Sequence, residues 1–302
     1  MLEIHLLGTG GTIPLPERPL TALLVRYNGC SVLIDCGEGT QTEIARMGLS
    51  LNPIDIIFFT HFHADHISGL SGLLLSMGNQ NRTKPVTIVG PMGVERVVRS
   101  ICVIASDLPF ELNFVEIKHS EQPFSIDGLD ITAFRVCHSI VCYGYSIGVE
   151  RAGKFDPDKA RALGLEPTSW SRLQHGENVT LKKTVITPDM VMGPQRKGLK
   201  VVYCTDSRPT ESISRFARNA DLFICEGMYD NGSSLKKAIE KQHMLMSEAA
   251  QLARSANVGR MWLTHFSPSV TEPEKKIEKL RKAFPFIEMP KRNMSIDLTF
   301  ED

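Results

Sequence analysis

No apolar run in the chain approaches the ~20 residues that a bilayer-spanning helix needs. The N-terminus, Met1-Leu2-Glu3-Ile4-His5-Leu6-Leu7-Gly8, has neither a charged leader region nor a small-residue cleavage site. It reads as a first strand, and the expected location is the cytoplasm. The seven cysteines are odd in number and contain no C-x-x-C pair. Cys36, Cys137, Cys204 and Cys225 fall in or beside predicted strands, as small hydrophobes in a reducing compartment do. Charge of one sign is also missing. The 34 basic and 34 acidic side chains cancel, so the average does not advertise a nucleic-acid binder, although it can hide local patches. Short-period repeats and low-complexity tracts are absent as well. What is present is 302 residues, 42% of them hydrophobic, enough for one large domain or a domain with an insert.

The densest chemistry lies in Thr60-His61-Phe62-His63-Ala64-Asp65-His66. An apolar run, Ile54 to Phe59, precedes it and predicts a buried strand; Ile67 to Met77 follows and predicts a helix. Three imidazoles and a carboxylate at one strand-to-helix turn are good ligands for a borderline metal such as zinc. His61 and His63 can point to one side of an extended turn. Asp65 and His66, adjacent at a helix start, fan apart, so one turn can feed two metals.

Other polar residues share the position just after an apolar strand: His138, Asp206, Glu226 and His265. Functional groups converge at such strand ends. His243, before a predicted helix at Ser247 to Ser255 with Ser247 as N-cap, is placed with them; His5, His119 and His175 are not. Five histidines and two aspartates suit two divalent ions bridged by a carboxylate and a water. Such a centre activates water for an in-line displacement, which fits phosphodiester hydrolysis and also serves ester, thioester or amide hydrolysis.

The glycine-rich turn Gly8-Thr9-Gly10-Gly11-Thr12 has neither G-x-G-x-x-G spacing nor a Lys-Ser/Thr pair, so it predicts backbone brought near the metal centre rather than a phosphate loop. Asn28-Gly29 predicts the tip of a hairpin from Leu23–Tyr27 to Cys30–Ile34. Residues 151–200 change character, with ten basic side chains against five acidic, a local excess of +5. They read as an insert projecting from the core, with a helix at Asp156 to Leu163, that either presents a solvated basic surface or binds a polyanion.

The pattern His61-x-His63-x-Asp65-His66 with His138, Asp206 and His265 is similar to the ligand set of the metallo-β-lactamase superfamily. Nearly end to end the chain resembles the ribonuclease Z family, tRNA 3′-processing endonucleases, in its short form. The resemblance rests also on Leu7-Gly8-Thr9-Gly10, Asp35-Cys36-Gly37-Glu38-Gly39-Thr40-Gln41, Gly90-Pro91-x-Gly93, Thr205-Asp206-Ser207-Arg208-Pro209 and Leu263-Thr264-His265-Phe266-Ser267. It implies an α/β metallo-β-lactamase fold, an αββα four-layer sandwich spanning 1–302, with 151–197 as an inserted exosite arm. It implies two zinc ions per subunit, with manganese or iron(II) as alternatives. His61, His63 and His138 would hold one ion; Asp65, His66 and His265 the other; Asp206 would bridge. Asp65 would also orient or deprotonate the attacking water. His243 matches the proton donor to the leaving oxygen, and Glu226 the residue that orients it. The implied partner is precursor tRNA, clamped by the arm across a homodimer. The chain departs from the family pattern at Glu166-Pro167-Thr168-Ser169-Trp170, around Glu226 and at Ser269, none of them a ligand position. The alternative expectation is a superfamily phosphodiesterase or hydrolase of a small substrate, which would have no need of a basic arm.

Overall fold

The computed structural model describes residues 1–230, 232–289 and 291–301. Internal contacts divide the chain into two units, residues 1–149 with 199–299, and residues 150–198 with the tail from Phe300. In the larger unit, β1 (Leu2–Gly8), β2 (Ala22–Tyr27) and β3 (Cys30–Ile34) lead to α1 (Thr40–Arg46), β4 (Ile54–Phe58), α2 (Ala64–Ile67), α3 (Leu70–Asn79), β5 (Val86–Pro91), α4 (Val94–Ile101) and β6 (Leu112–Ile117). A meander follows: β7 (Glu121–Ile126), β8 (Leu129–Arg135) and β9 (Tyr143–Arg151). The smaller unit contributes α5 (Pro157–Ala162), α6 (Pro167–Gln174), β10 (Val179–Leu181) and β11 (Thr184–Ile186). The chain then returns through β12 (Arg196–Cys204), α7 (Glu211–Ala217), β13 (Leu222–Glu226), α8 (Leu235–Lys241), α9 (Met246–Ser255), β14 (Met261–Thr264), α10 (Pro273–Leu280), β15 (Ile287–Glu288) and β16 (Met294–Leu298).

Local chemistry explains the main boundaries. Asn28 and Gly29 both take positive φ, 48° and 83°, the backbone a two-residue hairpin turn needs. All five residues of β3 are buried, as in a strand covered on both faces. Asp156 caps α5, accepting from the Asp158 and Lys159 N–H groups at 3.1 Å, with Pro157 at the first helical position, where its missing N–H costs nothing.

The larger unit holds two seven-stranded sheets, ordered β16-β1-β2-β3-β4-β5-β6 and β15-β14-β13-β12-β9-β8-β7. The sheets face each other. Phe58 of the first packs edge-on against Phe124 and Tyr145 of the second, with ring centroids 5.3 and 5.2 Å apart. The Tyr145 hydroxyl donates to the Phe59 carbonyl at 2.6 Å. Outside the first sheet, Ile44, Leu73 and Val98 of α1, α3 and α4 pack against strand residues such as Leu24 and Ile57. Outside the second, Ile213, Ala250 and Ile277 of α7, α9 and α10 pack against Val202 and Phe223. That is the αββα sandwich, each buried Leu, Ile or Phe contributing about 1.5–3 kcal/mol. Among the described residues no helix is long and apolar enough to cross a membrane.

Two expectations are corrected. The helix predicted over 67–77 is broken into α2 and α3 at Gly69. The Gly69 N–H donates to the Cys36 carbonyl at 2.9 Å, and a Cβ there would lie 2.1 Å from the Gly37 carbonyl oxygen. Backbone contact with the 35–39 loop therefore overrides helix continuity. Ser247 is not an N-cap but the second residue of α9, which Leu245 caps. The free N–H of Leu245 is taken by the Glu248 carboxylate at 2.8 Å.

The smaller unit has its own cluster of six buried residues, Ala160, Leu165, Leu173, Val179, Ile186 and Val191. Sequence periodicity predicts only its first helix. The other elements, α6 and the two strands, are eight, three and three residues long.

Candidate metal centre

Every residue singled out as a ligand lies in the larger unit, at or just beyond the end of an element or in the loop that follows one. His61 and His63 follow β4, and Asp65 and His66 open α2. His138 lies between β8 and β9, Asp206 just past β12 and His265 just past β14. Strands β12, β13 and β14 are parallel and in register, Cys204 opposite Cys225 and Glu226 opposite Thr264. Their carboxyl ends therefore deliver side chains to one sheet edge. His265 holds φ at 54°, a left-handed backbone that a non-glycine residue keeps only when its surroundings enforce it.

Among the described residues, donor atoms cluster as His61, His63, His138 and Asp206, as Asp65, His66 and His265, and as Asp206, His243 and His265. In the first, His61 Nε2 lies 2.9 Å from His63 Nδ1, and His138 Nε2 lies 3.2 Å from the same atom. Asp206 Oδ2 is 3.6 Å from both Nε2 atoms. In the second, His66 Nε2 and His265 Nε2 are 3.2 Å apart. Asp65 Oδ2 lies 3.3 Å from the His265 nitrogen and 3.8 Å from that of His66. Asp206 Oδ1 is 3.2 and 3.1 Å from these two nitrogens. One carboxylate thus turns one oxygen to each group.

The outward atoms decide which lone pairs face inward. Thr60 Oγ1 lies 3.0 Å from each oxygen of Asp35, to which its hydroxyl can donate. Its oxygen is then left to accept from His61 Nδ1 at 3.0 Å. Asp35 Oδ2 accepts from His66 Nδ1 at 2.8 Å, and the Gln242 carbonyl accepts from His138 Nδ1 at 3.2 Å. The inward Nε2 of His61 and His138 is then left with a bare lone pair, which is how ligating imidazoles are held. His66 differs: although burial opposes it, Asp206 and Asp35 hold its ring well above the ordinary pKa, so a metal must displace a proton there. The Thr12 N–H donates to Asp65 Oδ2 at 2.6 Å, as the glycine-rich turn predicts. A Cβ on Gly11 would sit 2.7 Å from the His265 ring, so only glycine leaves that imidazole room.

The arrangement fits a metal. Ligand atoms around a tetrahedral ion with bonds of about 2.0–2.1 Å stand about 3.3 Å apart, which matches the separations above. Asp206 Oδ1 is fully buried without a hydrogen-bond partner, and such an atom calls for an ion or water. Burial, and then neighbouring imidazoles, pushes the His61 ring well below its ordinary pKa. Burial lowers His63 and His138 too, which keeps them neutral as ligation requires. Asp65 and Asp206 are lowered although burial opposes it, because His265 and His66 favour their ionised forms.

His243 stands beside the shared carboxylate, its Nδ1 4.0 Å from Asp206 Oδ2. The same nitrogen is 3.2 Å from Glu226 Oε2. Burial disfavours its charged form, but Glu226 and then Asp206 outweigh burial and raise it to about 9. Glu226 is the last residue of β13 and fully buried. It accepts from the N–H groups of Ser207 and Met244, the latter at 3.3 Å. Three residues that carry the site were not singled out from sequence: Asp35, Thr60 and Thr12. Asp35 sits in a motif noted for its resemblance, and its φ of 60° in a buried acidic residue is visible only in three dimensions.

Comparison with known proteins agrees with this architecture. Residues 2–162, just over half of the chain, match the family model described as the anti-Pycsar protein Apyc1. The ribonuclease Z of Lachnospira eligens is 55% identical over 302 residues, covering 100% of this chain and 99% of its own. The human short-form tRNase Z superposes with a TM-score of 0.69 at 23% identity, covering 99% of this chain and all of its own. The metallo-β-lactamase fold protein YhfI of Bacillus subtilis gives 0.69 at 18%, covering 98% of each. With a metallo-β-lactamase fold and a histidine–aspartate metal cluster, the chain is a hydrolase that belongs to the ribonuclease Z family and, over residues 2–162, fits the family model of Apyc1.

Proposed function

We propose that the protein is a metal-dependent endoribonuclease that removes the 3′ trailer of precursor tRNA and leaves a 3′-hydroxyl on the tRNA. The observation that carries this reading is the Asp206 carboxylate, which turns one oxygen to each of two histidine–aspartate groups in a chain of this family. His61, His63 and His138 with Asp206 Oδ2 would hold one ion, and Asp65, His66 and His265 with Asp206 Oδ1 a second, zinc being the ion such donors favour. Divalent ions there supply Lewis acidity toward water and toward the phosphate oxygens. Asp65, ionised and oriented by the Thr12 N–H, receives the proton of the attacking water. Water attacks phosphorus, the bond to the 3′ oxygen of the tRNA breaks, and the phosphate stays on the trailer. Glu226 and then Asp206 raise His243 to about 9, and its Nδ1 is turned to Glu226, which leaves Nε2 to carry a proton to the departing 3′ oxygen.

The basic insert supports a long polyanionic substrate over a small one. Lys182 and Lys183 form the exposed turn between β10 and β11 and make no ion pair among the described residues, which suits phosphate contacts. Residues 151–197 are read as an arm that grips the RNA in a homodimer. All seven cysteines are free, consistent with a cytoplasmic enzyme. The test is incubation of the metal-loaded protein with end-labelled precursor tRNA beside Asp65→Ala. A cut 3′ of the discriminator base, absent in the variant, is expected. Intact RNA with bis-p-nitrophenyl phosphate hydrolysed would assign the centre to a small substrate instead.

A further inference from the structure

The geometry points to Arg208 as a positioning residue for His243, a role that rests on the proton-donor reading of that histidine. His243 sits in the four-residue link between α8 and α9. A ring there is fixed in space only if both its rotation and the backbone that carries it are fixed. Glu226 sets the rotation through Nδ1. The backbone is held by Arg208. Its Nη1 donates to the His243 carbonyl at 2.6 Å and to Glu248 Oε2 at 2.8 Å, while Nη2 donates to Glu248 Oε1.

Glu248 closes the clasp from the other side, since Oε2 also accepts the Leu245 N–H at 2.8 Å. One guanidinium–carboxylate pair therefore grips the link just before and just after Met244. Arg208 is itself anchored to the ligand loops. Its N–H donates to the Cys137 carbonyl at 2.9 Å, beside His138, and it stands two residues beyond Asp206. Arg208 thus joins the contacts of Gln242 with His138 and of Met244 with Glu226 in setting the distance from the shared carboxylate to the His243 ring. A planar fork is what this needs: one side chain must reach a carbonyl and both oxygens of a carboxylate at once. A lysine offers one ammonium and cannot reproduce the three-way contact.

This role makes a prediction that a merely structural role does not. Protonation matters for a poor leaving group, such as a ribose 3′ oxygen, and hardly at all for p-nitrophenolate. Wild type, Arg208→Lys, Glu248→Gln, His243→Ala and the Arg208→Lys/His243→Ala pair are compared, each with its bound metal measured. The substrates are precursor tRNA and bis-p-nitrophenyl phosphate. Arg208→Lys is expected to lower the rate constant for RNA cleavage at least about tenfold while aryl ester hydrolysis stays within about twofold. Glu248→Gln should show the same bias in milder form. Adding Arg208→Lys to His243→Ala should cost no more than about twofold further, because the two act as one unit. Equal losses on both substrates, additive losses in the double variant, or no loss at all would overturn the proposal. A wild type that fails to cut RNA would instead overturn the functional reading, and this role with it.

Discussion

In the larger unit, ligand side chains stand at strand and helix ends, and the outward nitrogens of His61, His66 and His138 are each taken by a protein acceptor. In the smaller unit, basic side chains ride on two short helices and a hairpin of two three-residue strands around six buried residues. The first arrangement fixes the orientation of each ring, as activation of water at a metal demands. The second fixes charge at a surface, which is enough to hold a phosphate backbone. Chemistry and recognition are therefore expected to break separately, and substitutions in each unit can show whether they do.

The largest effect is expected at the shared carboxylate. Asp206→Ala removes one ligand atom from each group. Hydrolysis of both RNA and bis-p-nitrophenyl phosphate should fall about a thousandfold or more, with bound metal reduced on elemental analysis. Asp35→Ala leaves every ligand in place but frees the His66 ring. Metal affinity should drop about 10–100-fold by chelator competition, and activity should return at excess metal. Failure of excess metal to restore it would mean that Asp35 acts on more than ligand orientation.

Substitutions in the smaller unit should spare the aryl ester. Leu173→Ala empties the centre of a small core, at about 2–5 kcal/mol. Limited proteolysis should then cut within 150–198, and RNA cleavage should weaken. The smallest effect is expected for Lys182→Ala/Lys183→Ala. KM for precursor tRNA should rise about three- to tenfold, and the slope of log affinity against log salt should flatten by about 1–2. An equal loss of aryl ester hydrolysis in either variant would break the division of labour.

The two units also differ in how far they can be read from sequence. The candidate metal donors of the larger unit stand out in the sequence because metal chemistry needs particular residue types, and His61, His63, Asp65 and His66 crowd into six positions. The sheets were legible because buried strands leave apolar runs such as Ile54 to Phe59. What was hidden depends on pairs distant in the chain. Asp35 meets His66 across 31 residues, and Arg208 meets Glu248 across 40. The break at Gly69 is hidden for the same reason, since it depends on backbone contact with the 35–39 loop; the cap at Leu245 instead depends on Glu248, only three residues downstream. In the smaller unit only the charge and the first helix, Pro157–Ala162, are legible.

The most direct measurement of the central claim is anomalous diffraction at the zinc edge from crystals of the zinc-loaded protein. Two peaks are expected, one among His61, His63 and His138 and one among Asp65, His66 and His265, with an Asp206 oxygen at each. A single peak, or two peaks without Asp206 between them, would contradict the shared-carboxylate centre.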